Sequence, residues 1–157
     1  MIMARFDPSL RTSSLPAISR REFNPASNWR ETLMTWYTRF FSPRSQKMPN
    51  PLSTRNFDEF VLRHPLAVVH FWAPWNEADR LMNQLLQFQL PEKLRRQVAF
   101  ASVNIDLVEH LELIRQHKVF DVPFLVFYRD GLAVQNSMGL HGPGVITKHL
   151  QELIKPR

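Results

Sequence analysis

The segment FWAPWNEADR, Phe71 to Arg80, joins an apolar run to a pattern typical of a helix. The residues before it, Leu66 to Trp72, are β-branched or apolar almost throughout, which predicts a buried strand. After it, Asn76 or Asp79 can cap a helix. The inward stripe of that helix is predicted at Leu81, Leu85 and Phe88, and Pro91 interrupts it. The segment is therefore predicted to be a strand-to-helix connection.

The rest of the chain from residue 51 alternates between the two patterns. Besides the strand before Phe71, strands are predicted at Val98–Ile105, Phe124–Tyr128 and Ala133–Met138, and helices from Ser53 or Thr54 to His64, at Val108–Lys118 and at Val145–Ile154. The helix after Val108 is predicted to turn Leu107, Leu111 and Ile114 inward and to leave His110 and His117 in solvent. The order α-β-α-β-α-β-β-α predicts an α/β fold, a mixed sheet with helices on both faces.

Charge and composition divide the chain. Residues 1 to 50 hold eight Lys and Arg against three Asp and Glu, a net charge of +5, whereas residues 51–157 have a net charge of +1. The first part is rich in Pro, Ser and Arg, which suits an extended segment without a core of its own. We predict two parts, an N-terminal extension over 1–50 and a folded domain over 51–157.

One piece of the extension has a helical pattern. Asn28 can cap a helix with Glu31 three positions later, and Ser42-Pro43 ends it. Its apolar face, at residues 28–41, is predicted at Trp29, Leu33, Trp36, Tyr37 and Phe40. Because a lone helix of this length is marginal in water, we expect this face to dock on the chain's own domain or on a neighbouring subunit; peripheral membrane contact is the least favoured alternative.

Several classes of function lack support. The chain has no cysteine, so disulfides, thiolate metal sites and thiol chemistry within it are excluded. No apolar run approaches the roughly 20 residues that a spanning helix needs, and Arg5 and Asp7 break up any secretory signal. No phosphate-binding glycine motif exists, and no histidine spacing favours a metal ion. We predict no cofactor and no metal.

Five landmarks occur in order along the domain: HFWAPW at 70–75, Asn104-Ile105-Asp106, Val122-Pro123, the hairpin at 128–131, and Gly139 after the last strand. By these landmarks the chain resembles the thioredoxin family over about 105 positions, Leu52 to Lys155, with Val122-Pro123 at the family's cis-proline site. The resemblance implies the thioredoxin-like fold.

The departures from the family decide the expected function. Asn76 and Asp79 occupy the two positions of the family's Cys-x-x-Cys pair, and neither can form a mixed disulfide. His70 and Ser102 replace the Asp and Lys that the resemblance associates with proton transfer. We therefore predict a redox-inactive member, not an enzyme, in which Asn76 and Asp79 cap a helix.

General acid or base catalysis is a disfavoured alternative to thiol chemistry at this loop. Glu77, Asp79 and His70 form an acid and base cluster near the loop, but the sequence supplies no nucleophile beside them. A capping pair next to a strand histidine, buried or bonded to a main-chain carbonyl, is the simpler interpretation.

The favoured function is a structural or interaction subunit of a large protein assembly, anchored by its N-terminal arm. The family's substrate groove would be lined here by Trp75, Val122, Pro123 and Leu140, and could hold a partner chain by strand addition. Phe120 and Phe124 would enlarge this groove, although core packing is the simpler interpretation for both.

Two other classes of function remain open: a peptide-binding chaperone or assembly factor, and a subunit that contacts RNA through its Arg-rich arm. The Arg-rich start also favours a mitochondrial location, with a bacterial cytoplasm or a cilium as alternatives.

Overall fold

A computed structural model describes residues 48–156 of the chain. The predicted helix over 28–41, with its docking face, lies outside the described residues, so it stays a prediction, as does the boundary between extension and domain. From residue 57 onward the elements follow the predicted order. They are α1 (Phe57–Arg63), β1 (Leu66–Trp72), α2 (Glu77–Gln84), a π-helical turn (Leu85–Gln89), α3 (Glu92–Arg95), β2 (Ala99–Asn104), a 3₁₀ turn (Val108–His110), α4 (Leu111–Gln116), β3 (Phe124–Arg129), β4 (Leu132–Met138) and α5 (Pro143–Ile154).

The four strands form one mixed sheet in the order β2-β1-β3-β4. β1 runs parallel to β2, with His70 beside Ser102, and antiparallel to β3, with Phe71 beside Phe124. β3 pairs antiparallel with β4. The carboxyl ends of β1, β2 and β4 and the amino end of β3 therefore meet at one end of the sheet, named here the sheet end.

Helices cover both faces of the sheet, as predicted, because side chains alternate along each strand. On one face, Val68 and Phe127 pack with α2 and α5 in a cluster that contains Leu81, Leu85 and Leu150. The opposite face of the sheet carries a second cluster with α1 and α4. Its members include Phe57, Val61, Val69, Phe71, Leu113, Phe124 and Tyr128. Because each face of the sheet packs against its own helices, only strand residues on the α2 side can contact the start of α2.

The segment before α4 differs from the prediction. The 3₁₀ turn at Val108–His110 tightens the chain before α4 begins, which changes the inward face. Leu113 and His110 are buried, whereas Leu107 and Leu111 are 44% and 46% exposed. The predicted inward positions Leu107 and Leu111 are therefore wrong.

The prediction that His110 and His117 are solvated is also wrong. His110 Nδ1 lies 2.6 Å from the carbonyl oxygen of Asn104, and His117 Nδ1 lies 2.8 Å from that of Leu113. His117 also bonds the Tyr128 hydroxyl, and its ring lies tilted against that of Phe57 with centroids 5.2 Å apart. Burial raises the pKa of the Tyr128 phenol, and the nearby Asp58 carboxylate adds to this effect. Both histidines hold α4 against the sheet.

The chain enters the domain along the outer edge of β2. Ser102 N–H donates to the Asn50 carbonyl at 3.2 Å, and Leu52 N–H donates to the Ser102 carbonyl at 2.8 Å. Pro51 forms a parallel bridge with Ser102. The Ser102 hydroxyl donates to the Pro49 carbonyl at 2.9 Å. Ser102 therefore serves to fasten the entering chain.

Candidate functional site

Asn76 ties the start of α2 to the loop before β3. Its Oδ1 accepts from the Ala78 N–H at 3.0 Å, so it is the N-cap of α2, as the sequence predicted. Its Nδ2 donates to the Val122 carbonyl at 2.8 Å. The Asn76 side chain thus accepts from one N–H at the helix start and joins two loops at the sheet end. Its oxygen and its nitrogen each make a hydrogen bond.

Replacing Asn76 separates these two bonds. Asn76→Asp keeps the acceptor for the helix but removes the donor to Val122, so we expect the free energy of unfolding to fall by about 1 kcal/mol. Asn76→Ala loses both bonds and should cost about 2 kcal/mol. Urea denaturation followed by circular dichroism measures both. An Asn76→Asp protein as stable as the parent would show that the bond to Val122 contributes nothing.

Asp79 does not cap α2; its carboxylate turns back toward β1. Oδ1 lies 2.8 Å from Nε2 of His70, and Oδ2 accepts from the Ala73 N–H at 3.0 Å. Both side chains are fully buried, at 0% exposure. The predicted capping pair is therefore wrong in its second member, since His70 lies beneath the helix start and provides a closer partner.

The buried pair of His70 and Asp79 is closed to substrates. Neither side chain reaches solvent, and Nδ1 of His70 is buried without a hydrogen-bond partner among residues 48–156. Glu77, the third member of the acid and base cluster considered from the sequence, is exposed and makes no contact with the pair that the structure records. The arrangement holds residues 73–79 onto β1, and it offers no reacting group to a bound molecule.

The four predicted groove residues differ in exposure. Trp75 is 70% exposed, and its indole Nε1–H donates to the Asp106 carboxylate at 3.2 Å. Val122 and Pro123 are buried, their peptide bond is cis, and Leu140 packs at the margin of the core. Only Trp75 presents a large open apolar surface.

Both main-chain groups of Val122 already have partners. The N–H donates to the Asp121 carboxylate at 2.8 Å, and the carbonyl accepts from Asn76. A partner strand that paired with Val122 would have to share or displace these bonds, which weakens the expectation of strand addition at this residue. We therefore expect a partner to bind the sheet end through side-chain contacts rather than through main-chain pairing.

The loops of the sheet end expose several large apolar side chains; Trp75 and Phe120 were named from the sequence as possible groove residues, whereas the others were missed. Phe120 is 86% exposed and Val108 is 80% exposed. Core packing was therefore the right expectation for Phe124, which is 5% exposed, and the wrong one for Phe120. A signal was present in the sequence, because Phe120 directly precedes Asp121 in the turn before Val122-Pro123, where a core side chain is rare. Trp75, Leu107, Leu111 and Met138 are also exposed at the sheet end. We name these six residues, which lie on separate segments of the sheet end, the apolar end surface.

A separate open groove of about 810 Å³ lies between β4 and α5. It is lined by Arg129, Val134, Gln135, Val145, Lys148, His149, Glu152 and Leu153. Partial burial lowers the pKa of His149, and His141 and Lys148 act in the same direction. None of the apolar end residues lines this groove.

Within residues 48–156, no group of three or more His, Asp or Glu side chains is arranged to hold a metal ion. In the same range, no helix has both the length and the apolar character needed to cross a bilayer.

Comparison with known families gives the assignment of this fold. The family model described as Thioredoxin matches residues 49–152. The chain belongs to the thioredoxin family.

The chain is also similar to a plant and an animal protein, each over part of its length. The chain is 29% identical over 98 residues to protein disulfide isomerase-like 5-4 of Oryza sativa subsp. japonica, which covers 58% of this chain and 20% of the relative. It is 31% identical over 101 residues to glutaredoxin-3 of Bos taurus, which covers 63% of this chain and 29% of that relative. The chain therefore spans less than a third of the length of either protein.

Solved thioredoxins share the fold. Thioredoxin f2 of Chlamydomonas reinhardtii superposes with a TM-score of 0.60 at 21% identity, covering 69% of this chain and 99% of that one. Mitochondrial thioredoxin 3 of Saccharomyces cerevisiae gives a TM-score of 0.59 at 19% identity, covering 66% and 94%. These similarities concern the architecture alone.

Proposed function

We propose that this chain is a redox-inactive thioredoxin-family subunit that serves as a structural or interaction component of a large protein assembly. It binds protein partners through the apolar end surface, and its N-terminal arm helps to anchor it. The Arg-rich and Ser-rich extension supports a mitochondrial location within this proposal.

The observation that carries the proposal is the bonding of the two motif residues. Asn76 holds the helix start to Val122, and Asp79 holds it to His70 and Ala73. Both side chains are engaged in hydrogen bonds that fix the loop, and the chain contains no cysteine to act in their place. A fixed loop beside exposed apolar side chains suits binding better than chemistry.

A reductase assay tests the loss of redox function. The purified full chain, mixed with insulin and dithiothreitol, should give no turnover above the uncatalysed rate, because no thiolate exists to attack a disulfide. A thioredoxin with its Cys-x-x-Cys pair is the positive control. Catalysed reduction of insulin would refute the redox-inactive part of the proposal.

Partner capture tests the binding surface. Tagged full chain is used to recover partners from native extract at moderate salt, and the proteins are identified by mass spectrometry. Trp75→Ser with Phe120→Ser should reduce recovery of the main partner about tenfold or more, since exposed aromatic anchors dominate interfaces. Leu132→Ser is the matched control, because Leu132 is 68% exposed on β4 away from the sheet end. Equal losses from both proteins would contradict the assignment of the surface.

The peptide-binding chaperone remains a second candidate, favoured by the open apolar end surface. A chaperone would release its clients, so partners would exchange within minutes rather than copurify in fixed proportion. The RNA-contacting alternative predicts a steep salt dependence, with log K falling by roughly 0.9 per phosphate neutralised on duplex. A flat dependence favours protein partners.

A further inference from the structure

The segments that carry the apolar end surface are rich in exposed carboxylates, in a chain whose net charge is +6. The segments that form the sheet end are residues 73–79, 105–112, 119–123 and 138–142, and none of them contains Lys or Arg. Their exposed carboxylates are Glu77, Asp106, Glu109, Glu112 and Asp121. Two cations flank these segments in the chain: Arg80, whose guanidinium donates to the Pro74 carbonyl at 3.3 Å, and the exposed Lys118, directly before residue 119. The five exposed carboxylates outnumber these two cations. The surface therefore fits a ligand that is both apolar and cationic.

Residues 28–44 have this chemistry. The predicted apolar face carries Trp29, Leu33, Trp36, Tyr37 and Phe40, and Arg30, Arg39 and Arg44 outnumber the single acid Glu31. The extension as a whole holds most of the chain's excess positive charge. This segment lies outside the described residues.

The point where the N-terminal extension joins the domain is close enough to the sheet end for residues 28–44 to reach it. Asn50 bonds Phe100 and Ser102 on β2, so Met48 enters near the level of Phe100. From Phe100 to the end of β2 at Asn104 is about 13 Å. Residues 41–47 can span up to about 23 Å, so Phe40 can reach the sheet end.

We propose that residues 28–44 bind the apolar end surface of their own domain in the free chain, with their aromatic face on Trp75, Val108 and Phe120 and their arginines beside the exposed carboxylates of the same segments. A short tether gives the segment a local concentration in the millimolar range, which a free partner of equal affinity must exceed. Joining an assembly then exchanges this internal contact for an external one. The inference goes beyond the proposed function, because it concerns the unbound protein.

Paramagnetic broadening in the full chain tests the contact. Since the chain has no cysteine, Ser27→Cys gives one site for a nitroxide label, with twenty residues, 28–47, between it and the described part. In a ¹⁵N-labelled sample we expect selective broadening of amides in 106–112 and 120–122, compared with those of 145–152 on α5. Uniform or absent broadening overturns the proposal.

Charge reversal makes the test specific. Glu109→Lys with Glu112→Lys should lower the ratio of docked to free segment about tenfold, since each change replaces an attraction by a repulsion. Glu92→Lys with Glu152→Lys alters net charge equally at other exposed positions and should leave the broadening unchanged. Equal loss in both proteins would overturn the proposal, because it would reflect net charge alone.

A mixing experiment identifies the occupant. Spin-labelled ¹⁴N chain is added to unlabelled ¹⁵N chain, and broadening of 106–112 in this mixture would mean that a second copy supplies the segment, which overturns the internal contact. No broadening in the mixture, with broadening in the single sample, supports it. Partner capture by Trp75→Ser with Phe120→Ser tests the proposed function separately, so either idea can fail alone.

Discussion

Replacing Asp79 by Ala is expected to lower the free energy of unfolding by about 3 kcal/mol or more, because the change leaves His70 and the Ala73 N–H without their partner in a dry interior. Both side chains of the pair are at 0% exposure, so water cannot take the carboxylate's place without opening the structure. Chemical denaturation of the full chain, followed by circular dichroism, measures this loss.

A double substitution separates the buried pair from a capping role. His70→Leu with Asp79→Leu removes both polar groups together, and we expect the double variant to be less destabilised than the sum of the two single changes, since no isolated polar side chain remains. Asp79→Ser is the matched control, because serine caps helices well but cannot reach His70. If Asp79→Ser were as stable as the parent, the stabilising role of Asp79 would be helix capping and not its bond to His70.

Two phenylalanines only four residues apart are expected to respond in opposite ways. Phe124→Ala should destabilise the domain by about 3 kcal/mol, as truncations of buried Phe commonly do. Phe124 is 5% exposed and packs edge-on against Phe71 with ring centroids 6.3 Å apart. Phe120→Ala, at a side chain that is 86% exposed, should change stability by less than about 0.5 kcal/mol.

The same denaturation experiment measures both variants. The two changes remove identical atoms, so the difference between them reports position alone. A large loss of stability from Phe120→Ala would show that this ring is covered in the folded protein. In that case the apolar end surface would be smaller than described.

The sequence contained most of the fold. The nearly continuous apolar run of Leu66–Trp72 and the apolar stripes of α2 and α5 predicted the elements, and the matching landmarks predicted their arrangement. Phe88, expected on the inward stripe of α2, instead lies in the π-helical turn and is 39% exposed. The exposed positions around Val108 were missed because a 3₁₀ turn changes the inward face of the residues that follow, and periodicity assumes a regular helix.

The candidate site was less predictable. Asn76 could be recognised as a cap because its oxygen serves the nearest helix amides, a local effect. The partnership of Asp79 with His70 depends on the depth of β1 beneath the start of α2, which no local pattern records. The charge of the sheet end was hidden for a similar reason, since its carboxylates come from separate segments that only the topology brings together.

The pairing of Pro51 with Ser102 limits how far the chain can be truncated from its N-terminus. An exposed sheet edge can pair with other chains, and residues 49–52 cover the edge of β2 at Phe100 and Ser102. Trimming the chain past Met48 would uncover these backbone groups and favour self-association into larger particles. Shortened proteins should therefore keep residues 45–52, so that sedimentation reports the natural monomer or oligomer rather than an artificial aggregate.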